Sequence, residues 1–160
     1  MENRFCLQKR LCAYLLISLL SFLSTSCVNL SGTSSTYKKI GKKPPHGQVP
    51  AEVHTMLGGL GLFSHGMNQL RDEVITRYHI PAYGTIWYNA GYVSHFIINR
   101  YYQHHDHSPI VLIGHSLGAN EQIKVARNLN KVGIPVDLLV TVDAVSQTIV
   151  PPNVKQVLNI

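Results

Sequence analysis

Gly114-His115-Ser116-Leu117-Gly118 form a G-x-S-x-G pattern, and the chemistry such a pattern offers is attack by a serine hydroxyl. Glycine and serine are common enough for a chain of 160 residues to show it by chance roughly once in twenty, so the surroundings decide its worth. Pro109-Ile110-Val111-Leu112-Ile113 precedes it as an unbroken aliphatic run, the composition of a parallel strand buried on both faces. Ala119, Ile123, Ala126 and Leu129 follow at helical spacing. A serine on a sharp strand-to-helix turn is lifted above the sheet edge, and flanking glycines leave room for neighbouring backbone. The Leu117 N–H can then point at an oxyanion, aided by the helix dipole. The competing role for Ser116 is an ordinary helix N-cap.

A second oxyanion donor has to come from the loop after an earlier strand. Glu52 to Leu57 reads as a strand running into Gly58-Gly59-Leu60-Gly61, so the N–H of Gly59 or Leu60 is expected there, with a plain tight turn as the alternative. Asp143 directly follows the buried strand Val136 to Val142. It is expected at the same sheet edge as Ser116, the edge where open α/β sheets place their sites. Asp137 begins that strand and is expected at the opposite edge as a surface charge.

These residues need elements to hold them. Met67, Leu70, Val74 and Tyr78 mark a helix closed by Pro81, and Gly84 to Tyr88 is a candidate strand. Val93, Phe96, Ile97 and Tyr101 mark a second helix; Gly133 is placed to stop the third; Val154 to Ile160 reads as a last strand. Strand and helix alternate, which predicts an α/β fold: a mainly parallel sheet with helices on both faces.

Residues 52 to 160 resemble the α/β-hydrolase fold, and within it they are similar to compact bacterial lipases and thioesterases. The matching pieces are the Gly-Gly-Leu-Gly loop with Phe63-Ser64-His65-Gly66 after it, the run from Ile113 to Ala119, and Val136 to Asp143. The resemblance implies hydrolysis of an acyl ester or thioester through an acyl-enzyme on Ser116, with Asp143 as the acid of the triad and no cofactor. Chain order in that family is serine, acid, histidine. No His follows Asp143. The expectation is therefore a partial, C-terminally incomplete domain over 51–160, or an upstream substitute base, for which His65 is the candidate. An inactive remnant that binds an acyl ligand or an envelope partner is the alternative. His115 is expected to pack structurally, pointing away from Ser116. His104, His105 and His107 surround Asp106 in a polar loop, where a solvated surface is expected and no metal site.

The N-terminal third reads as an address. Arg4, Lys9 and Arg10 precede an uncharged stretch from Leu11 to Leu23, which ends in Ser24-Thr25-Ser26, giving a signal peptide over 1–26. Leu23-Ser24-Thr25-Ser26-Cys27 resembles the lipobox of bacterial lipoproteins, with the departure that Ser24 stands where the large aliphatic residue belongs. The resemblance implies acylation of Cys27 and a membrane anchor; ordinary signal-peptide cleavage near Cys27 is the alternative. Residues 27–50 are rich in Ser, Thr, Gly, Pro and Lys and read as a tether. Export to the bacterial cell envelope follows as the expected location.

The net charge of +6 belongs to this third, where seven basic residues face Glu2 alone. From residue 51 onward, seven Lys and Arg balance seven Asp and Glu. A nucleic-acid partner is thereby excluded as an expectation, because the folded part lacks the clustered positive charge that phosphate binding needs.

Overall fold

A computed structural model describes residues 51–59 and 65–160. The signal peptide, the tether, Cys27 and Leu60 lie outside the described residues, as does the side chain of His65. The chain runs β1 (Glu52–Leu57), α1 (His65–Tyr78), β2 (Ala82–Ile86), a 3-10 turn (Trp87–Asn89), α2 (Ala90–Gln103), β3 (Ile110–His115), α3 (Leu117–Asn130), β4 (Val136–Val142) and β5 (Val154–Asn159). The five strands form one sheet in the order β2-β1-β3-β4-β5, and every neighbouring pair is parallel. Among the described residues no helix is long and apolar enough to cross a membrane.

Parallel neighbours need crossovers, and right-handed crossovers decide the faces. The path from β1 to β2 steps one way across the sheet and the later paths step the other, so α1 lies on one face and α2 and α3 on the opposite one. Side chains agree. Gly84 of β2 faces α1, where a Cβ would lie 3.1 Å from Arg71 Cδ. Its neighbour Tyr83 faces α2, with its ring 5.1 Å from that of Phe96. The core between the sheet and α2/α3 is built on Met56, Leu112 and Leu139 from the strands, Val93 and Ile97 from α2, and Ile123, Ala126 and Leu129 from α3.

β2 starts two residues earlier than expected and ends at Ile86. The aromatic Trp87 and Tyr88 have strand-like propensity, but pairing with β1 decides: Val53 registers with Ala82 and Leu57 with Ile86, which uses up β1. The third helix stops as expected. Gly133 takes a left-handed φ of 75°, and N–H groups from Lys131 to Ile134 return to carbonyls of the last turn.

One polar cluster sits at the N-terminal edge of the sheet, where the sequence pointed only to solvent. Glu52 is buried at the start of β1, bonded to the fully buried His54, and Arg100 of α2 reaches it at 3.0 Å. The same guanidinium pairs with Asp106 and donates to the Tyr83 hydroxyl at 2.7 Å. Asp106 thus turns inward, where Ser108 also donates to it through both N–H and hydroxyl. Burial pushes the Asp106 carboxyl up, but the hydrogen bonds from Ser108 and Arg100 outweigh it and hold the group below its ordinary value. A carboxylate with a lowered folded pKa contributes stability above its unfolded pKa of about 4 and loses it as pH falls through the folded value. Asp106→Asn is therefore expected to cost about 1–3 kcal/mol at pH 7 and to flatten the loss of stability below about pH 4. Urea unfolding of both proteins from pH 7 to pH 2.5 checks this; parallel curves would refute it.

Candidate functional site

Ser116 stands between the last residue of β3 and the first of α3. Its backbone is at φ 56°, ψ −127°, outside the sterically allowed regions for a side chain with a Cβ, and such strain persists only where the surroundings impose it. Two hydrogen bonds do so: the Ser116 N–H donates to Val142 O at 2.8 Å, and the Ala119 N–H donates back to Ser116 O at 2.9 Å. The first is a cross-strand tie and the second closes the opening turn of α3. The Ser116 hydroxyl makes no capping hydrogen bond, so the side chain is not spent on being an N-cap.

Three glycines let backbone pack where side chains would stand. A Cβ on Gly114 would lie 2.6 Å from Ala119 Cα, and one on Gly118 would lie 2.8 Å from the Met56 carbonyl carbon. The third is Gly58, whose Cβ would lie 2.6 Å from Ser116 Cβ and 3.0 Å from Leu117 N. The loop after β1 is thus pressed against the serine turn. Gly59 follows with φ 46° in open surroundings. Gly58 was legible as part of a glycine run; its contact with Ser116 was not, because nothing local encodes a partner 58 residues away.

Asp143 comes directly after β4. His115 registers with Val142, so Ser116 and Asp143 occupy successive places on adjacent strands, at the same sheet edge. Asp143 also takes a left-handed φ of 47°, and its N–H donates to Ile160 O at 2.9 Å. Its carboxylate is 81% exposed, with His115 Nε2 at 3.8 Å from Oδ2, a charge contact longer than a hydrogen bond. That His115–Asp143 contact was not anticipated: His115 was expected only to pack, and it shares the α1 face with Ile113. Asp137 lies at the far edge as expected, and there it accepts the Ile110 N–H at 2.9 Å and pairs with Lys155 at 2.7 Å.

A cavity of about 430 Å³ opens beside Asp143, floored by Ile123, Val150 and Val157 and edged by Thr141, Ser146 and Thr148. Its size is in the range of small-molecule sites. Among the described residues no three His, Cys, Asp or Glu side chains converge as metal ligands would. His107 instead packs edge-on against Tyr101, with ring centroids 4.3 Å apart.

A scan of protein-family models gives no match, and neither does a search of curated proteins. Among solved structures the chain is similar to YbtT, described as a type II thioesterase from the yersiniabactin NRPS/PKS biosynthetic pathway. Against a serine-to-alanine mutant of that protein the TM-score is 0.41 at 16% identity, covering 66% of this chain and 46% of the other. Against its unmutated form the TM-score is 0.40 at 18% identity, covering 64% of this chain and 45% of the other. The chain thus spans less than half the length of the structures it matches.

Proposed function

We propose that the protein is a serine hydrolase of acyl esters or thioesters, with Ser116 as nucleophile. The observation that carries the reading is the backbone of Ser116, held at φ 56° between a buried strand and a helix N-terminus, with the Gly58 backbone packed against it. Strain of this kind costs about 1–3 kcal/mol and concentrates at functional positions. In the reaction, Ser116 Oγ attacks the acyl carbonyl while a base takes its proton. The N–H groups of Leu117 and of Gly59 or Leu60 hold the resulting oxyanion, and the thiolate or alkoxide leaves with the proton. Water then releases the acid by the same route. Asp143 is the group that orients the base. The base is assigned to His65, which opens α1 just beyond the glycine loop.

Cys27 and the segment before it support placing this enzyme outside the cytoplasm, tethered by lipid to a membrane surface. A second reading, an acyl-ligand binder without turnover, draws on the solvent-facing Asp143 carboxylate. A fluorophosphonate probe separates the two. Covalent labelling at Ser116, located by peptide mass spectrometry, is the expected result, with a slower rate in His65→Ala if that residue is the base. Ligand retention with no labelling and no burst from an activated thioester would support the binder and end the hydrolase reading.

A further inference from the structure

The connection from β4 to β5 carries Asp143 at its head and has no helix of its own. Arg127 and Asn153 tie its later part to the body of the domain, and its first part, next to Asp143, is fastened by one side chain of α3. Asn120, one turn beyond Ser116 on α3, donates from Nδ2 to Ser146 O at 2.8 Å, Ser146 Oγ at 3.0 Å and Thr148 Oγ1 at 3.1 Å. Its Oδ1 accepts the N–H of Val145 at 3.0 Å and of Ser146 at 3.4 Å. The two Nδ2 hydrogens serve three acceptors, so one of them is shared, while both loop N–H groups face Oδ1. Two backbone N–H groups can only face the carbonyl, and a backbone carbonyl can only face the amine, so the orientation of Asn120 is dictated by its partners.

The fastened residues lie two, three and five positions after Asp143. On its other side Asp143 is tied through its N–H to the carbonyl of Ile160, the residue after β5. The left-handed backbone of Asp143 is thus clamped between an edge strand and the helix that Ser116 heads. Asn120 links nucleophile and acid by a route separate from the β3–β4 ladder.

Resting on the hydrolase reading, we propose that Asn120 is a positioning residue: it holds the 143–148 loop on α3 and so sets the place of the Asp143 carboxylate relative to Ser116. It touches neither the substrate nor the reacting atoms, and it acts through Asp143. A displacement of about 1 Å at such a group costs on the order of 100-fold in rate.

The test is a double-mutant cycle on the full chain, reading the rate of fluorophosphonate labelling at Ser116 and kcat and KM with an activated thioester. Asn120→Ala removes the clamp while placing a better helix former in α3, so the fold is expected to stand. Labelling and kcat are expected to fall about 10- to 100-fold with KM within about twofold. Asn120→Asp, which keeps the acceptor for the two N–H groups, is expected to fall between. In an Asp143→Asn background, Asn120→Ala is expected to have no further effect, because its action passes through the group already removed. Faster amide exchange at Val145 and Ser146 in Asn120→Ala is the independent sign that the clamp has opened.

An unchanged rate, or losses that simply multiply in the double mutant, would overturn the proposal while leaving the hydrolase reading intact. If the wild-type chain is never labelled at Ser116, the hydrolase reading falls first and this one with it. Should Asn120→Ala fail to fold, the comparison of Asn120→Asp with wild type in both backgrounds decides by the same criteria.

Discussion

Ser116→Ala is expected to remove labelling and hydrolysis altogether, while Ser116→Gly removes them equally and makes the protein more stable. The first half follows from chemistry. Without Oγ there is no acyl-enzyme, and loss of the nucleophile in a serine hydrolase with its base in place costs on the order of 10⁶-fold in kcat. The second half follows from the backbone. Alanine keeps the Cβ and therefore keeps the strain at φ 56°, so its melting temperature should match wild type. Glycine has no Cβ to strain, and even after its greater entropy loss on folding a gain of about 1 kcal/mol should remain, or roughly 3–5 °C in melting temperature. Calorimetry on the three proteins checks this alongside the labelling assay. A glycine variant less stable than the alanine one would mean that the turn is not strained and would remove the main support for a catalytic serine.

The second large effect is expected at Gly118. A Cβ there meets the backbone of Met56, the central residue of the buried sheet face, so the only relief is to push α3 away from β1. That separation would also pull on Gln122, whose Nε2 donates to His54 O at 2.8 Å and to Ile113 O at 3.2 Å from the same helix face. Gly118→Ala is expected to cost about 3 kcal/mol, the upper end of the usual range for overpacked cores, and Gly118→Val to prevent folding. The contrast is Gly91 in α2, where a Cβ would meet nothing within 4 Å. Gly91→Ala should stabilise by about 0.5–1 kcal/mol, since alanine is the better helix former. Equilibrium unfolding of both variants tests the pair. A tolerated Gly118→Ala would show that α3 does not press on β1 as described.

Local pattern made much of this readable beforehand. β3 and β4 fall where their aliphatic runs put them, the helices follow their apolar spacing, and the serine turn lies where a buried strand meets a helix. Glycine spacing around Ser116 was legible because steric demand is a property of the residues themselves. Long-range pairing was not. Asn120 looks like any polar residue on a helix, and only the fold brings the loop two dozen residues later onto its amide. Asp106 sat among histidines in a polar stretch that looked solvated, yet Arg100 draws it inward because Glu52 and Tyr83 already surround that guanidinium. Trp87 and Tyr88 misled by their β propensity, since strand length was decided by β1 and not by the residues that follow Ile86.

The buried Glu52–His54–Arg100–Asp106 group and the strained serine lie at opposite rims of the sheet, separated by the length of a six-residue strand, about 20 Å. Changes more than about 10 Å apart combine nearly additively. The molecule is therefore divided for anyone who would alter it: the rim that carries Ser116 can be varied and the other reinforced to absorb the losses, with little interference between the two campaigns.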